Sequence, residues 1–227
     1  MSKELFDYDE KIKKQRKIKL LCGIDETGRG PWAGPIVASA VILEPDIVIQ
    51  GLNDSKKLNE KTRIAIEKDI KDNALSWGIA EISAQEIDKK GLTYANSQVM
   101  INAAKIAAEK INLNLDQIDL FIIDQSPCTS LKPQIMMPKA DSTSACVAAA
   151  SILAKNYRDS IIKEIGNNHP EYLFDEHKGY INKVHVEAVK KYGLIDGVHR
   201  KSYVVAGYNK PKQINMMDML NDENWNN

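Results

Sequence analysis

At 227 residues, with 43% hydrophobic and 27% charged residues, the chain has the length and ordinary composition of one sizeable globular domain. Lys+Arg and Asp+Glu balance at 31 each, so a net charge of +0 gives no whole-chain attraction to a polyanion, and any nucleic-acid role must rest on where the charges lie. The 3 cysteines, Cys22, Cys128 and Cys146, are odd in number and far apart, which argues against a disulfide framework or a thiolate zinc site.

Residues 1–17, MSKELFDYDEKIKKQRK, are charged throughout, lack an apolar signal core and read as a charged leader. No apolar run approaches the roughly 18 residues that span a membrane, so a cytoplasmic protein is expected. IKLLCGID then reads as a short strand buried on both faces. A loop punctuated by Gly28, Gly30, Pro31, Gly34 and Pro35 follows, and IVASAVIL is a second strand. GLNDSKKLNEKT leads into a helix over RIAIEKDIK, and ALSWGIAEIS alternates as a third strand. Ser83 stands three residues before Glu86, the spacing of a helix-starting capping box.

LTYANSQVMINAAKIAAEKI has helical periodicity, and LFIID is a strand ending on Asp124. Residues 125–140 are loop-like, with a short strand at QIMM. DSTSACVAAASILAKNYRDSIIKEI predicts a second long helix, opened by Asp141, and INKVHVEAVKKYG a third that stops at Gly193. Strands clustered first and then alternating with helices imply an α/β or mixed α+β fold layered on a sheet. The polar segment 210–227 reads as a tail.

Asp25 and Glu26 sit together at the end of a buried strand, Asp124 ends another, and Asp141 opens a helix. Asp141 has an alternative reading as a helix cap and Asp124 as a turn residue. Asp25-Glu26 is harder to explain away, because two carboxylates beside apolar neighbours are costly unless a cation compensates. Mg²⁺ or Mn²⁺ suits such oxygen donors, and a two-ion site suits phosphodiester hydrolysis. The chain has no G-x-S-x-G, H-E-x-x-H or G-x-x-x-x-G-K-[ST] motif to carry a rival chemistry.

Five blocks, GIDETGRGPWAGP, GLNDSKKLNEK, KADS before AAASILAKNYRD, HKGY and HRKSY, run in order across residues 22–203. Together they resemble the type 2 ribonucleases H (ribonuclease HII). The resemblance implies a ribonuclease H-like fold, a central mixed sheet flanked by helices, spanning a catalytic portion (18–165) and a helical C-terminal portion (166–209) of one domain. It implies that Asp25, Glu26, Asp124 and Asp141 are catalytic and hold two divalent ions. It also implies cutting of RNA paired with or joined to DNA, on the 5′ side of ribonucleotides embedded in duplex DNA.

In such a protein Gly28, Arg29 and Gly30 read the ribose 2′-hydroxyl and its phosphates, and Tyr180 stacks on the deoxyribose just 3′ of it. Ser55, Lys56 and Lys57, together with His199, Arg200 and Lys201, become expected phosphate contacts. Lys155 and Arg158 are further candidates, and His177 is expected to be structural. A monomer is expected, with a sliding clamp as a conceivable partner. Type 3 ribonuclease H and a non-cutting hybrid-binding module are the competing readings. The chain departs from the family pattern at Thr27, Gln125 (where glycine is usual), Ala140 (KADS for KGDS) and Tyr203 (for phenylalanine).

Overall fold

The computed structural model describes residues 2–45, 47–125 and 128–209. The polar segment 210–227 lies outside the described residues. The chain opens on α1 (Ser2–Arg16), where a leader was expected. This segment folds back because Leu5 and Asp9, one helical turn apart, are both buried against the body of the protein. The Asp9 carboxylate accepts a 2.9 Å hydrogen bond from the Cys146 N–H, and so anchors α1 to the first turn of a helix 137 residues away.

Five strands form one mixed sheet among the described residues: β1 (Leu21–Thr27), β2 (Ile36–Leu43), β3 (Ala74–Ile82), β4 (Leu120–Asp124) and β5 (Gln134–Met137). Their order is β3-β2-β1-β4-β5. The first three are antiparallel neighbours, and β1–β4 and β4–β5 are parallel. The mixed sheet with flanking helices is the architecture expected from the sequence. β1 and β4, as the central pair, are buried on both faces, which is why both read as unbroken apolar runs.

Helices cover the two faces. α2 (Glu60–Asn73) precedes β3, and α3 (Ala84–Lys90) and α4 (Leu92–Glu109) follow it. Ser83 caps α3 by accepting the Glu86 N–H. On one face Val99, Met100, Ala103, Ala104 and Ala107 of α4 pack on Cys22, Ile24, Ala38 and Ala40. On the other, α5 (Ala145–Asn168) packs on Leu21, Val41, Leu120 and Ile122. Its small residues permit a backbone-to-backbone approach at Gly23, where an added Cβ would stand 2.3 Å from the Cys146 carbonyl carbon and the Val147 nitrogen.

Asp141 does not open α5. It lies in a 3₁₀ turn (Ala140–Ser142), and Ser144 is the cap, accepting the Val147 N–H. Past α5, the short α6 (Phe174–His177) and α7 (Lys183–Tyr192) enclose a third apolar cluster around Trp32, Tyr172, Phe174 and Val189.

Replacing Asp9 with alanine strands the Cys146 N–H in a buried place and removes a charge-assisted bond. Urea denaturation of Asp9→Ala should show a stability loss of about 1–3 kcal/mol; an unchanged midpoint would show that α1 contributes nothing to the body of the fold.

Candidate active site

Parallel pairing of β1 with β4 determines where the acidic residues go. Ile24 is opposite Ile123, so the next residues along each strand, Asp25 and Asp124, stand side by side just past the last β1–β4 pair. Period-two alternation puts Asp25 on the face of Leu21 and Gly23, toward α5. β5 then leads back through Lys139, in a left-handed conformation, to the 3₁₀ turn that carries Asp141. The Ala140 N–H donates to Asp124 Oδ1 at 2.8 Å, joining the third and fourth carboxylates through one turn. A single pocket is lined by Asp25, Glu26, Thr27, Gly28, Arg29, Gly30, Ser55, Lys56, Asp124, Gln125, Ser151, Lys155 and Tyr180. Asp141 stands at its margin, with Oδ2 3.8 Å from the Lys56 ammonium.

The electrostatics are those of crowded, desolvated carboxylates. Burial, then Glu26, Asp124 and Asp141, raise the pKa of Asp25 to about 8, although the Ser151 hydroxyl works against the rise. Burial and Asp54 likewise raise Asp141, with Lys56 opposing. Burial pulls Lys56 down, but Asp141, Asp25, Asp54 and Asp124 outweigh it and leave the ammonium above its ordinary value. Asp141 Oδ2 is buried and accepts no hydrogen bond. A hard divalent cation answers all of these features, and the donor set is all oxygen. Among the described residues no three of these side chains close into a ready-made cage. The arrangement fits a cation that keeps waters and takes substrate phosphate oxygens as its remaining ligands, the usual habit of Mg²⁺.

The glycine-rich loop forms the adjacent wall. Gly28 has φ of +92°, and a Cβ there would meet Arg158 Nε at 2.5 Å and the Pro35 carbonyl at 2.6 Å, so only glycine fits. The Arg29 guanidinium lies 3.5 Å from Glu26 Oε1. Two buried arginines hold the loop from beneath. Arg200 donates to the carbonyls of Gly28, Arg29 and Gly34, and Arg158 to those of Ala33, Pro35 and Lys178. The Tyr203 hydroxyl donates to the Arg29 carbonyl at 2.7 Å.

Several expected nucleic-acid contacts therefore need correction. His199 and Arg200 are 1% and 0% exposed, so neither reaches a phosphate; they build the loop's floor. Arg158 is buried in the same role. Ser55 is also buried, and its hydroxyl is engaged with Ser151 at 2.9 Å. Lys56, Arg29 and Tyr180 remain accessible at the rim, while Lys57 is exposed in a neighbouring cleft beside Asp54. His177 is structural, buried and bonded to the Tyr172 carbonyl.

Ser151 was missed. Its only sequence signal is a polar residue inside the run AAASILA, on the part of α5 that is buried.

Residues 22–206 match the family model of ribonuclease HII. The chain belongs to the ribonuclease HII family. It is 39% identical over 200 residues to the ribonuclease HII of Bacillus mycoides, covering 88% of this chain and 74% of that one. With the ribonuclease HII of Vibrio campbellii it shares 42% over 186 residues, covering 82% and 84%. Among solved structures, the ribonuclease H2 of Pyrococcus horikoshii superposes with a TM-score of 0.68 at 22% identity, covering 82% of this chain and 94% of that one. Bst ribonuclease HIII, solved with Mn²⁺, gives 0.61 at 17%, covering 82% and 67%. The chain thus has the ribonuclease H fold and is a ribonuclease H.

Gln125 directly follows Asp124, and its φ is +50°, a left-handed conformation costly for a residue with a Cβ. Gln125→Gly should raise stability by about 1 kcal/mol in urea denaturation; a loss would show that the glutamine side chain makes a compensating contact.

The raised pKa of Asp25 has a definite sign in stability. The folded, metal-free protein holds a proton on Asp25 that the unfolded chain releases above its ordinary 3.8. That contribution is complete at acid pH and is lost as pH rises through about 8. Metal-free protein should lose stability progressively between about pH 4 and 8, and Asp25→Asn should be the more stable at pH 9 by on the order of 1–3 kcal/mol. Identical pH profiles for the two proteins would refute the assignment.

Proposed function

We propose that the protein cuts RNA paired with DNA and, in particular, cuts on the 5′ side of a ribonucleotide embedded in duplex DNA, leaving 3′-hydroxyl and 5′-phosphate ends. The observation that carries this reading is that one pocket is lined both by the acidic residues Asp25, Glu26 and Asp124 and by Gly28, Arg29, Gly30 and Tyr180. Chemistry and ribose recognition thereby share a single concavity. The name of the Bacillus and Vibrio relatives supports the substrate class.

In this reading Asp25, Glu26, Asp124 and Asp141 hold Mg²⁺ or Mn²⁺. Bound divalent ions supply Lewis-acid stabilisation of the phosphate and a water acidic enough to attack at neutral pH. The Mn²⁺ complex of Bst ribonuclease HIII supports a divalent requirement. The chain's own groups do the positioning. Ser151 and Ser55 brace Asp25 from the α5 side. Lys56 and Lys57 offer ammonium groups to the phosphates, and Arg29 a planar fork. The backbone of the Gly28–Gly30 turn approaches the 2′-hydroxyl, which both donates and accepts. Tyr180, 52% exposed at the rim, offers a ring face to the next sugar, where a second 2′-hydroxyl would be crowded. A sliding clamp is the partner suggested by the ribonuclease HII of Archaeoglobus fulgidus, which was solved in complex with PCNA.

The decisive assay is cleavage of a DNA duplex carrying one ribonucleotide, with products mapped to the nucleotide, in Mg²⁺ and in Mn²⁺. Cleavage 5′ of the ribose is expected; no cleavage with either ion would sink the reading. Asp124→Asn and Asp141→Asn should each lower kcat by two orders of magnitude or more while duplex binding, read by anisotropy, stays within a few-fold. Near-normal turnover in either variant would mean the metal ligands are elsewhere.

A further inference from the structure

Three buried histidines outside the acidic pocket connect its two substrate-facing walls. His177 and His185 stack with ring centroids 4.2 Å apart, and His185 meets His199 edge to edge, Nε2 to Nε2, at 3.0 Å. His185 and His199 are 0% and 1% exposed, packed around Trp32.

The surrounding backbone determines where each proton sits. The Ile195 N–H donates to His199 Nδ1 at 2.9 Å, so a neutral His199 carries its proton on Nε2. His185 Nδ1 lies 2.9 Å from the Tyr180 carbonyl, which can only accept, so His185 carries its proton on Nδ1. That leaves His185 Nε2 with a lone pair facing the N–H of His199. One proton arrangement satisfies all three contacts, and it needs both rings neutral. Burial lowers the pKa of each ring to about 4, so both are neutral at the pH of an ordinary nuclease assay.

Each end of this pair holds one wall. His185 fixes the Tyr180 carbonyl, while the Tyr180 N–H donates to the His177 carbonyl. His199 precedes Arg200, whose guanidinium holds the carbonyls of Gly28 and Arg29. Gly30 and Tyr180 both line the pocket and stand close together: a Cβ on Gly30 would lie 3.6 Å from Tyr180 Cε1. The histidine bond thus closes a loop of contacts that runs from the ring of Tyr180 to the turn beside it.

We propose that the His185–His199 hydrogen bond is a positioning element that sets the distance between Tyr180 and the Gly28-Arg29-Gly30 turn, and through it the preference for an RNA-to-DNA step over continuous hybrid. This rests on the functional reading above. Neither histidine lines the acidic pocket, so cutting as such does not depend on the bond. Discrimination does, because it requires the ring and the turn to grip adjacent sugars at a fixed spacing.

The test is a double-mutant cycle. His185→Asn keeps a donor near the Tyr180 carbonyl and loses the link to His199; His199→Asn keeps an acceptor for Ile195 and loses the same link from the other side. Each should reduce the ratio of kcat/KM on embedded ribonucleotide to kcat/KM on continuous hybrid at least fivefold, with the hybrid value changed less than about threefold. The double variant should be no worse than either single, because both remove one bond. An unchanged ratio in folded single variants, or a double variant showing the product of the two effects, overturns the proposal. Wild-type protein that fails to cut the embedded substrate at all overturns the functional reading instead. Long-range ¹H–¹⁵N spectra of the wild type at pH 7 give a check that needs no variant. Nδ1–H on His185 and Nε2–H on His199 are expected, and any other tautomer pair or a charged ring defeats the proposal.

Discussion

The contact on which the rest depends is the meeting of β1 with α5 at Gly23. A helix backbone can touch a strand backbone only where no side chain intervenes, and Gly23 provides that opening two residues before Asp25. Everything acidic is measured from there. The parallel partner β4 delivers Asp124 to the same edge, the turn before α5 delivers Asp141, and Ser151 reaches Asp25 from the second turn of α5. A shift of α5 by one residue width would separate these groups while leaving every strand intact. The anchoring of α1 through Asp9 to the first turn of the same helix tightens the same joint from outside.

This geometry lets the carboxylates share one site. Asp25 accommodates its neighbours by taking up a proton; Asp141 is offset by Lys56; Asp124 accepts the Ala140 N–H. Each remedy is local and reversible, which a metal-binding site requires. A permanent ion pair to a buried arginine would stabilise the apoprotein and compete with the cation. The two buried arginines beneath the neighbouring loop, Arg158 and Arg200, are instead committed to its backbone carbonyls.

How much could be read in advance follows from the same division between local and long-range causes. β2, β4 and β5 match the segments IVASAVIL, LFIID and QIMM to the residue, because unbroken apolar runs bounded by turn formers are a local signal. Asp25 and Asp124 were legible for a related reason, since each ends such a run. The cap of α5 was not: DSTS offers Asp141 and Ser144 three residues apart, and the 3₁₀ turn that selects Ser144 depends on Asp124 across the sheet. His199 and Arg200 looked like part of a basic surface cluster because a sequence does not show which cations are enclosed. The burial of Arg200 is decided by carbonyls of Gly28, Arg29 and Gly34, some 166–172 residues earlier. The histidine at HKGY reads as structural from sequence, yet its stacking on His185 comes only with the fold.

Arg158 and Arg200 also bear on the neutral net charge of the chain. Among the described residues neither guanidinium forms an ion pair with a carboxylate, although both sit directly beneath the substrate-facing loop. Burial lowers their affinity for protons, Arg158 to about 10, and leaves both charged at neutral pH. Two fixed positive charges in a weakly screened interior project a field outward through the loop that surface counterions cannot fully collapse. The pocket walled by that loop holds Asp25, Glu26 and Asp124, so these two charges offset part of its acidity from beneath the loop. In the proposed reading, a duplex would meet that charge from within the fold, through the same two side chains that hold the Gly28–Gly30 loop in shape.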